Sequence, residues 1–408
     1  MSKTIKIEPN LQFVKELQEV GGADLKKCYQ CATCSVACPM SPADNPYPRK
    51  EMVWAQWGLK DKLVNDIDIW LCHNCGTCSD LCPRGAKPGD LLAALRNMTY
   101  RKLVPPAIIG EWMSSPKHLP ILAGIPAGIF AIIWMIRAAL VGSFFPLTED
   151  GKIVYGNLFP GDFTIDPLFG LVAIFVAICF GLGIKNMIDG FKSTLSETFV
   201  LGYKKPTLKD AIIATIKYDV LQHSRFKNCV DSPADEERVK GHQILFYGFV
   251  ACAIVTSVVA VAHWGGKVVP LLAPVGHTPM PLWHPVKILA NVGAVLLVTG
   301  LTLLTRRRLN ADTKKSVSNY YDWYLLGVIW VVTLTGIGAQ VFRLAGVAPL
   351  AFFTYYVHLV SIFMLIAYLP WSKLGHLVYR TTALIYARYV GRLPIGEKLI
   401  EDDKIFVI

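Results

Sequence analysis

Six long apolar stretches constrain this chain more than anything else in it: Leu119–Ile136, Pro167–Ile184, Ile244–Ala262, Pro285–Leu304, Trp323–Val341 and Leu350–Pro370. Each runs about 18–21 residues, near the ~20 a helix needs to cross a ~30 Å hydrocarbon core. Lipid offers no partner to a bare backbone N–H or C=O, so such segments cross as helices. Helices buried in a large soluble protein share this composition, but six in succession leave too little chain to cover them. Charged residues make up only 17% of the chain, which agrees.

Charge placement sets the expected orientation. The segment 190–241 carries nine Lys and Arg, 306–322 five, and the tail after Pro370 six, while 143–166 and 264–283 carry only Lys152 and Lys267. The positive-inside rule then puts both termini in the cytoplasm and the chain in the cytoplasmic (inner) membrane. The formal charge of +11 sits mostly beside apolar stretches, so it reads as orientation in lipid and not as nucleic-acid binding. The start, MSKTIKIEPNLQFVKEL, lacks the apolar core of a secretory signal, which also keeps the N-terminal region cytoplasmic.

Residues 1–117 read as soluble and short-helical, 118–189 as two spans, 190–241 as a cytoplasmic connector, and 242–408 as four spans with a tail. Helical apolar spacing over Leu208–Gln222 predicts surface helices packing under the N-terminal region.

Eight of the eleven cysteines form two copies of C-x2-C-x2-C-x3-C-P: Cys28, Cys31, Cys34, Cys38, Pro39 and Cys72, Cys75, Cys78, Cys82, Pro83. Three close thiolates wrap a [4Fe–4S] cubane, and in two-cluster ferredoxins the fourth cysteine reaches the other cluster. The expected sets are therefore Cys28, Cys31, Cys34 and Cys82, and Cys72, Cys75, Cys78 and Cys38. Zinc sites also use four cysteines, but usually as two C-x2-C pairs without the third thiol or the proline. The 33 residues between the motifs suit an α-helical ferredoxin. His73 reads as a surface histidine beside a ligand; Cys179, Cys229 and Cys252 read as packing residues.

Ionisable groups in spans are costly and point to function. His358 and His376 frame the last span, and 18 residues on an ideal helix is five turns, a rise of ~27 Å along one face. His242 and His263 lie at the ends of the third span. Matching depths pairs His242 with His376 near the cytoplasm and His358 with His263 near the outer face, as axial ligands of two b haems. His118, His223 and His277 read as surface or loop residues.

Residues 20–100 resemble the C-type iron–sulfur subunits of heterodisulfide reductase, two-cluster α-helical ferredoxins. Residues 240–392 resemble the haem b membrane subunits of heterodisulfide reductase and of respiratory nitrate reductase (gamma type), through His358-Leu-Val, Leu369-Pro-Trp-Ser-Lys-Leu-Gly-His376 and Arg306-Arg307-Arg308-Leu309. Both halves in one chain resemble the membrane subunits of the quinone-interacting membrane-bound oxidoreductase complexes of sulfate reducers. The gamma-type pattern has a histidine where this chain has Cys252, and His284 falls where that type places a quinone-contacting lysine, with Lys287 one turn on.

The fold expected is all-α: a two-cluster ferredoxin domain fused to a six-helix transmembrane haem b bundle. The resemblance implies electron transfer between menaquinone and soluble flavin and iron–sulfur subunits, with adenylylsulfate reductase beyond them, and His284 and Lys287 as quinone contacts. Two alternatives use the same parts: a heterodisulfide-reductase-type or sulfite-pathway membrane protein with another soluble partner, and a membrane anchor without quinone activity.

Overall fold

The computed structural model describes residues 8–42, 45–194, 206–227, 229–230, 232–276, 278–310 and 313–395; His277 lies outside them. Among these residues the structure is helical, apart from an isolated bridge between Leu147 and Ile153. Six helices are long and apolar enough to cross a membrane: Pro116–Val141, Gly161–Thr194, Asp235–Gly266, Pro285–Leu309, Tyr320–Leu344 and Ala348–Ala367. Their outward faces, with Ile132, Leu171, Ile178, Val261, Val295 and Leu334, are exposed apolar surface suited to lipid.

Local chemistry marks where the spans start. The Ser232 hydroxyl accepts the Asp235 N–H at 3.3 Å, with Pro233 in the first turn of the third span. Asn319 and Asp322 form a reciprocal capping box at the fifth. Each cap satisfies an N–H that lipid would leave bare, worth ~1 kcal/mol. The third and fourth spans pack against each other so closely that a Cβ on Gly300 would stand 2.6 Å from Leu245 N. Only glycine fits there, as is usual where helix backbones meet in a membrane.

The end of the sixth span corrects the expectation of one helix through His358 and His376. The α-helix stops at Ala367, two short 3-10 turns follow, and a new helix, His376–Tyr389, begins. Pro370 brings no N–H, and the Ser372 hydroxyl caps the restart by accepting the Leu374 N–H at 3.2 Å. At Gly375 a Cβ would meet the Leu369 carbonyl at 2.8 Å, so the corner needs glycine. The two histidines therefore sit on separate helices and do not share one face.

One apolar core joins the N-terminal domain to the bundle, running from Phe13, Leu17 and Leu95 through Trp70 to Tyr379, Phe363 and Phe130. Polar ties reinforce it. Asn186 Nδ2 donates to the Leu103 carbonyl at 2.9 Å, and Trp371 Nε1 to the Val104 carbonyl at 3.2 Å. Arg392, after the last helix, donates to Asp68 at 2.6 Å, and Lys50 donates to the same carboxylate at 2.6 Å. Burial and the neighbouring acids push the Glu51 and Asp66 carboxyls above their ordinary values. Lys50 and Arg392 bring two cations to this cluster, which is what makes so buried a group of acids tolerable.

The connector is less regular than its spacing predicts. Leu208–Ala214 is α-helical behind a Thr207–Asp210 capping box, but Thr215–Leu221 widens into a π-helical turn. There Asp219 accepts from the buried Arg388 at 2.5 Å, and Thr215 Oγ1 accepts from the same guanidinium at 2.8 Å. The stretch is thus helical over 208–221, with its second half held by pairing with the last helix.

Candidate functional site

The chain curls tightly around each cysteine motif. Gln30 and Ala32 in the first, and Asn74 and Gly76 in the second, have positive φ of 60°, 69°, 52° and 91°. This left-handed backbone costs ~1 kcal/mol at a non-glycine residue, and it turns N–H groups toward sulfur. Gln30 N–H donates to Cys28 Sγ at 3.4 Å and Asn74 N–H to Cys72 Sγ at 3.3 Å. The short helices Thr33–Ala37 and Thr77–Asp80 then carry Cys34 and Cys78, pack on each other, and lead into Cys38 and Cys82.

Two cavities result. Cys28, Cys31, Cys34 and Cys82 line one, and Cys38, Cys72, Cys75 and Cys78 line the other. None of these cysteines is in a disulfide. Four thiols converging on one space, with N–H groups aimed at sulfur, is a donor set that fits a cubane cluster.

The surroundings differ. At the first cradle Cys31 is exposed, as are Tyr29 (68%) and Val36 (87%). The second lies against the membrane helices. Arg96 Nη1 donates to the Cys72 carbonyl at 2.7 Å, Arg238 Nη1 to the Asn74 carbonyl at 2.8 Å, and Arg380 Nη2 to the Leu71 carbonyl at 3.4 Å.

His73 is not a surface residue. Both its ring nitrogens are buried without a hydrogen-bond partner, and burial together with Arg380, Arg225, Arg238 and Arg96 holds its pKa well below the usual range. Its ring stacks on Phe226 at 5.4 Å. Phe226 in turn lies edge-on to His242 at 5.6 Å, and His242 is 6.2 Å from His376, ring centre to ring centre. An unbroken column of rings therefore links the wall of the second cavity to His376.

Two further residues that read as bland in the sequence belong here. His223 is buried, with burial lowering its pKa, and its Nε2 is 3.1 Å from His242 Nδ1. Cys229 is 0% exposed and lines the second cavity beside the motif cysteines. Neither has a motif to announce it, since both are brought in by the fold of the connector. His376 Nδ1 donates to the Lys373 carbonyl at 2.7 Å. His242 and His376 thus each use Nδ1 for orientation and keep Nε2 for a ligand, the pattern of metal-bound imidazole. On this observation the pair fits an axial haem set.

The other expected residues stand apart. His358 Nδ1 lies 3.1 Å from Thr335 Oγ1, and its ring packs on Gly336. His263 Nε2 is 2.5 Å from Asp162, whose other oxygen accepts from Lys267 at 2.7 Å. His284 precedes the fourth span with Nδ1 buried and unpartnered, and Lys287 follows in the first turn, half-buried.

Known proteins match in two blocks. The family model described as "4Fe-4S dicluster domain" matches residues 24–86, and that described as "Citrate utilization protein B" matches residues 194–394. The chain is therefore an all-α protein with an N-terminal 4Fe–4S dicluster domain and six candidate membrane spans. It is similar to subunits of heterodisulfide reductases. The C-type subunit of the H(2):CoB-CoM heterodisulfide,ferredoxin reductase of Methanothermobacter marburgensis is 36% identical over 87 residues, 21% of this chain and 46% of that protein. A C-type iron–sulfur subunit of the CoB–CoM heterodisulfide reductase of Methanocaldococcus jannaschii is 39% identical over 103 residues, 23% of this chain and 55% of that protein. The E-type subunit of the dihydromethanophenazine:CoB–CoM heterodisulfide reductase of Methanosarcina acetivorans is 32% identical over 102 residues, 23% of this chain and 38% of that protein. The chain spans about half the length of the curated relatives it matches. No solved structure matches.

Proposed function

We propose that this chain is the membrane electron-transfer component of an oxidoreductase complex, moving electrons between a lipid-soluble carrier and a soluble partner. Cys28, Cys31, Cys34 and Cys82 would hold one [4Fe–4S] cluster and Cys38, Cys72, Cys75 and Cys78 the other, with haem b held by His242 and His376. When bound, these groups supply one-electron redox chemistry, and the protein supplies spacing and electrostatics. The observation that carries the reading is the ring column from His73 through Phe226 to His242 and His376. It joins the dicluster domain to the spans by packed contacts alone.

The chain's own residues have separable tasks. His223 and the Lys373 carbonyl orient the two imidazoles. Arg96, Arg238 and Arg380 surround the second cradle with positive charge, which favours an added electron there. His284 and Lys287, on the side of the bundle away from the clusters, are suited to bind the carrier's oxygens or nitrogens. The name of the Methanosarcina relative, with dihydromethanophenazine in it, supports a lipid-soluble carrier of that general kind. Menaquinone as carrier and an adenylylsulfate-reductase-linked flavin partner are the form this takes if the sulfate-reducer resemblance holds. Both termini in the cytoplasm follows from the charge bias. One haem is proposed, on the pair whose ring centres lie 6.2 Å apart, whereas His358 and His263 are engaged separately by Thr335 and Asp162.

A pyridine haemochrome spectrum and total iron on the detergent-purified chain test the reading. One b haem with about eight cluster irons per chain is the expected result. Eight irons without haem would leave a dicluster protein anchored in lipid and would overturn the membrane half of the proposal.

A further inference from the structure

The two cradles form an internal control. Cys31 and Cys75 occupy the same position of the same motif, and each has a threonine hydroxyl two residues on, Thr33 at 3.3 Å and Thr77 at 3.4 Å. Outside the motif they part. Cys31 is exposed, whereas Cys75 shares its cavity with a fifth thiol, that of Cys229. Cys229 comes from the connector, is fully buried, and lines the same cavity as Cys38, Cys72, Cys75 and Cys78. Its position is fixed locally: the Cys229 N–H donates to the Phe226 carbonyl at 3.2 Å, and Phe226 is stacked on His73.

A cubane is complete with four thiolates, so a fifth thiol at this cavity keeps its proton. Against an anionic sulfur ligand an S–H acts as the donor. We infer that Cys229 is a positioning residue of the second cluster site, donating its S–H to a ligand sulfur of that cavity and so making that cluster easier to reduce than its twin. Donation to a ligand sulfur offsets negative charge, and the more reduced cluster carries more of it, so the reduced state gains most. This rests on the reading that the eight motif cysteines hold two clusters.

Full-length wild type, Cys229→Ala and Cys229→Ser are compared by total iron and by a redox titration followed by electron paramagnetic resonance. In Cys229→Ala we expect iron to stay at about eight per chain, one midpoint to move to more negative potential, and the other to hold still. Cys229→Ser keeps a donor and should recover most of that shift. Two unmoved midpoints would overturn the inference, as would equal movement of both. Loss of one cluster's iron from both variants would also overturn it, by making Cys229 a ligand. Wild type with fewer than eight irons would instead bring down the cluster reading beneath it.

Discussion

In the first cradle Cys31 is open to solvent with Tyr29 and Val36 bare beside it. In the second, Cys229 lines the cavity beside the matching Cys75, three arginines grip the surrounding carbonyls, and a stack of rings leads into the spans. The loops themselves are near copies, down to the left-handed residues, the N–H···S bonds and the threonine hydroxyls. Motif chemistry therefore determines what each cradle can hold, while its neighbours determine what it faces. One faces outward, and the other faces the membrane helices. An electron path needs that asymmetry, and two identical environments would not supply it.

The largest effects are expected at the fourth cysteines. Cys82→Ala should remove the cluster of the exposed cradle and Cys38→Ala that of the covered one, each lowering iron from about eight to about four per chain. The cluster surviving in Cys82→Ala should titrate at the higher potential. If the survivors are exchanged, so that Cys82→Ala leaves the lower-potential cluster, the crossed arrangement is wrong.

Next in size is His376→Ala, which should abolish the haem spectrum while leaving both clusters' iron in place. Haem content equal to wild type would mean that the histidine pair is only structural. Arg392→Ala attacks the covered side through its support. The Arg392 side chain is 1% exposed and its partner Asp68 0%. Breaking such a pair costs about 3–5 kcal/mol, toward the low end here because Lys50 still faces Asp68. A denaturant titration should show this loss, with the second cluster bleaching before the first. The smallest effect is expected at the exposed cradle. Tyr29→Ala should change stability by less than ~0.5 kcal/mol and leave both midpoints unmoved, while slowing cluster reoxidation by a soluble acceptor. Stopped-flow absorbance would read this, and an unchanged rate would detach that surface from partner contact.

Much of this is legible in the residues. Six spans follow from length and hydropathy alone, because an unpaired backbone in lipid leaves a helix as the only solution. The cradles follow from spacing, since a C-x2-C-x2-C loop is too short to place its thiols anywhere else. His242 and His376 can be paired by depth, and the fold does set them side by side. Helical periodicity puts His376 and His358 on one face only if the helix continues, and at Pro370 and Gly375 it ends and restarts. His73, His223 and Cys229 are silent in the sequence for a common reason. A lone histidine or cysteine carries no periodicity, and its worth depends on what long-range packing brings against it.

The sequence by itself thus determined the spans, the class of metal site and the charge bias across the membrane, all consequences of local spacing and solvent preference. Only the tertiary structure decided which cradle is covered, which imidazole orients His242, and that a connector cysteine lines the second cradle. Those contacts join residues that are distant along the chain, and a short-range pattern holds no record of them until the core has closed.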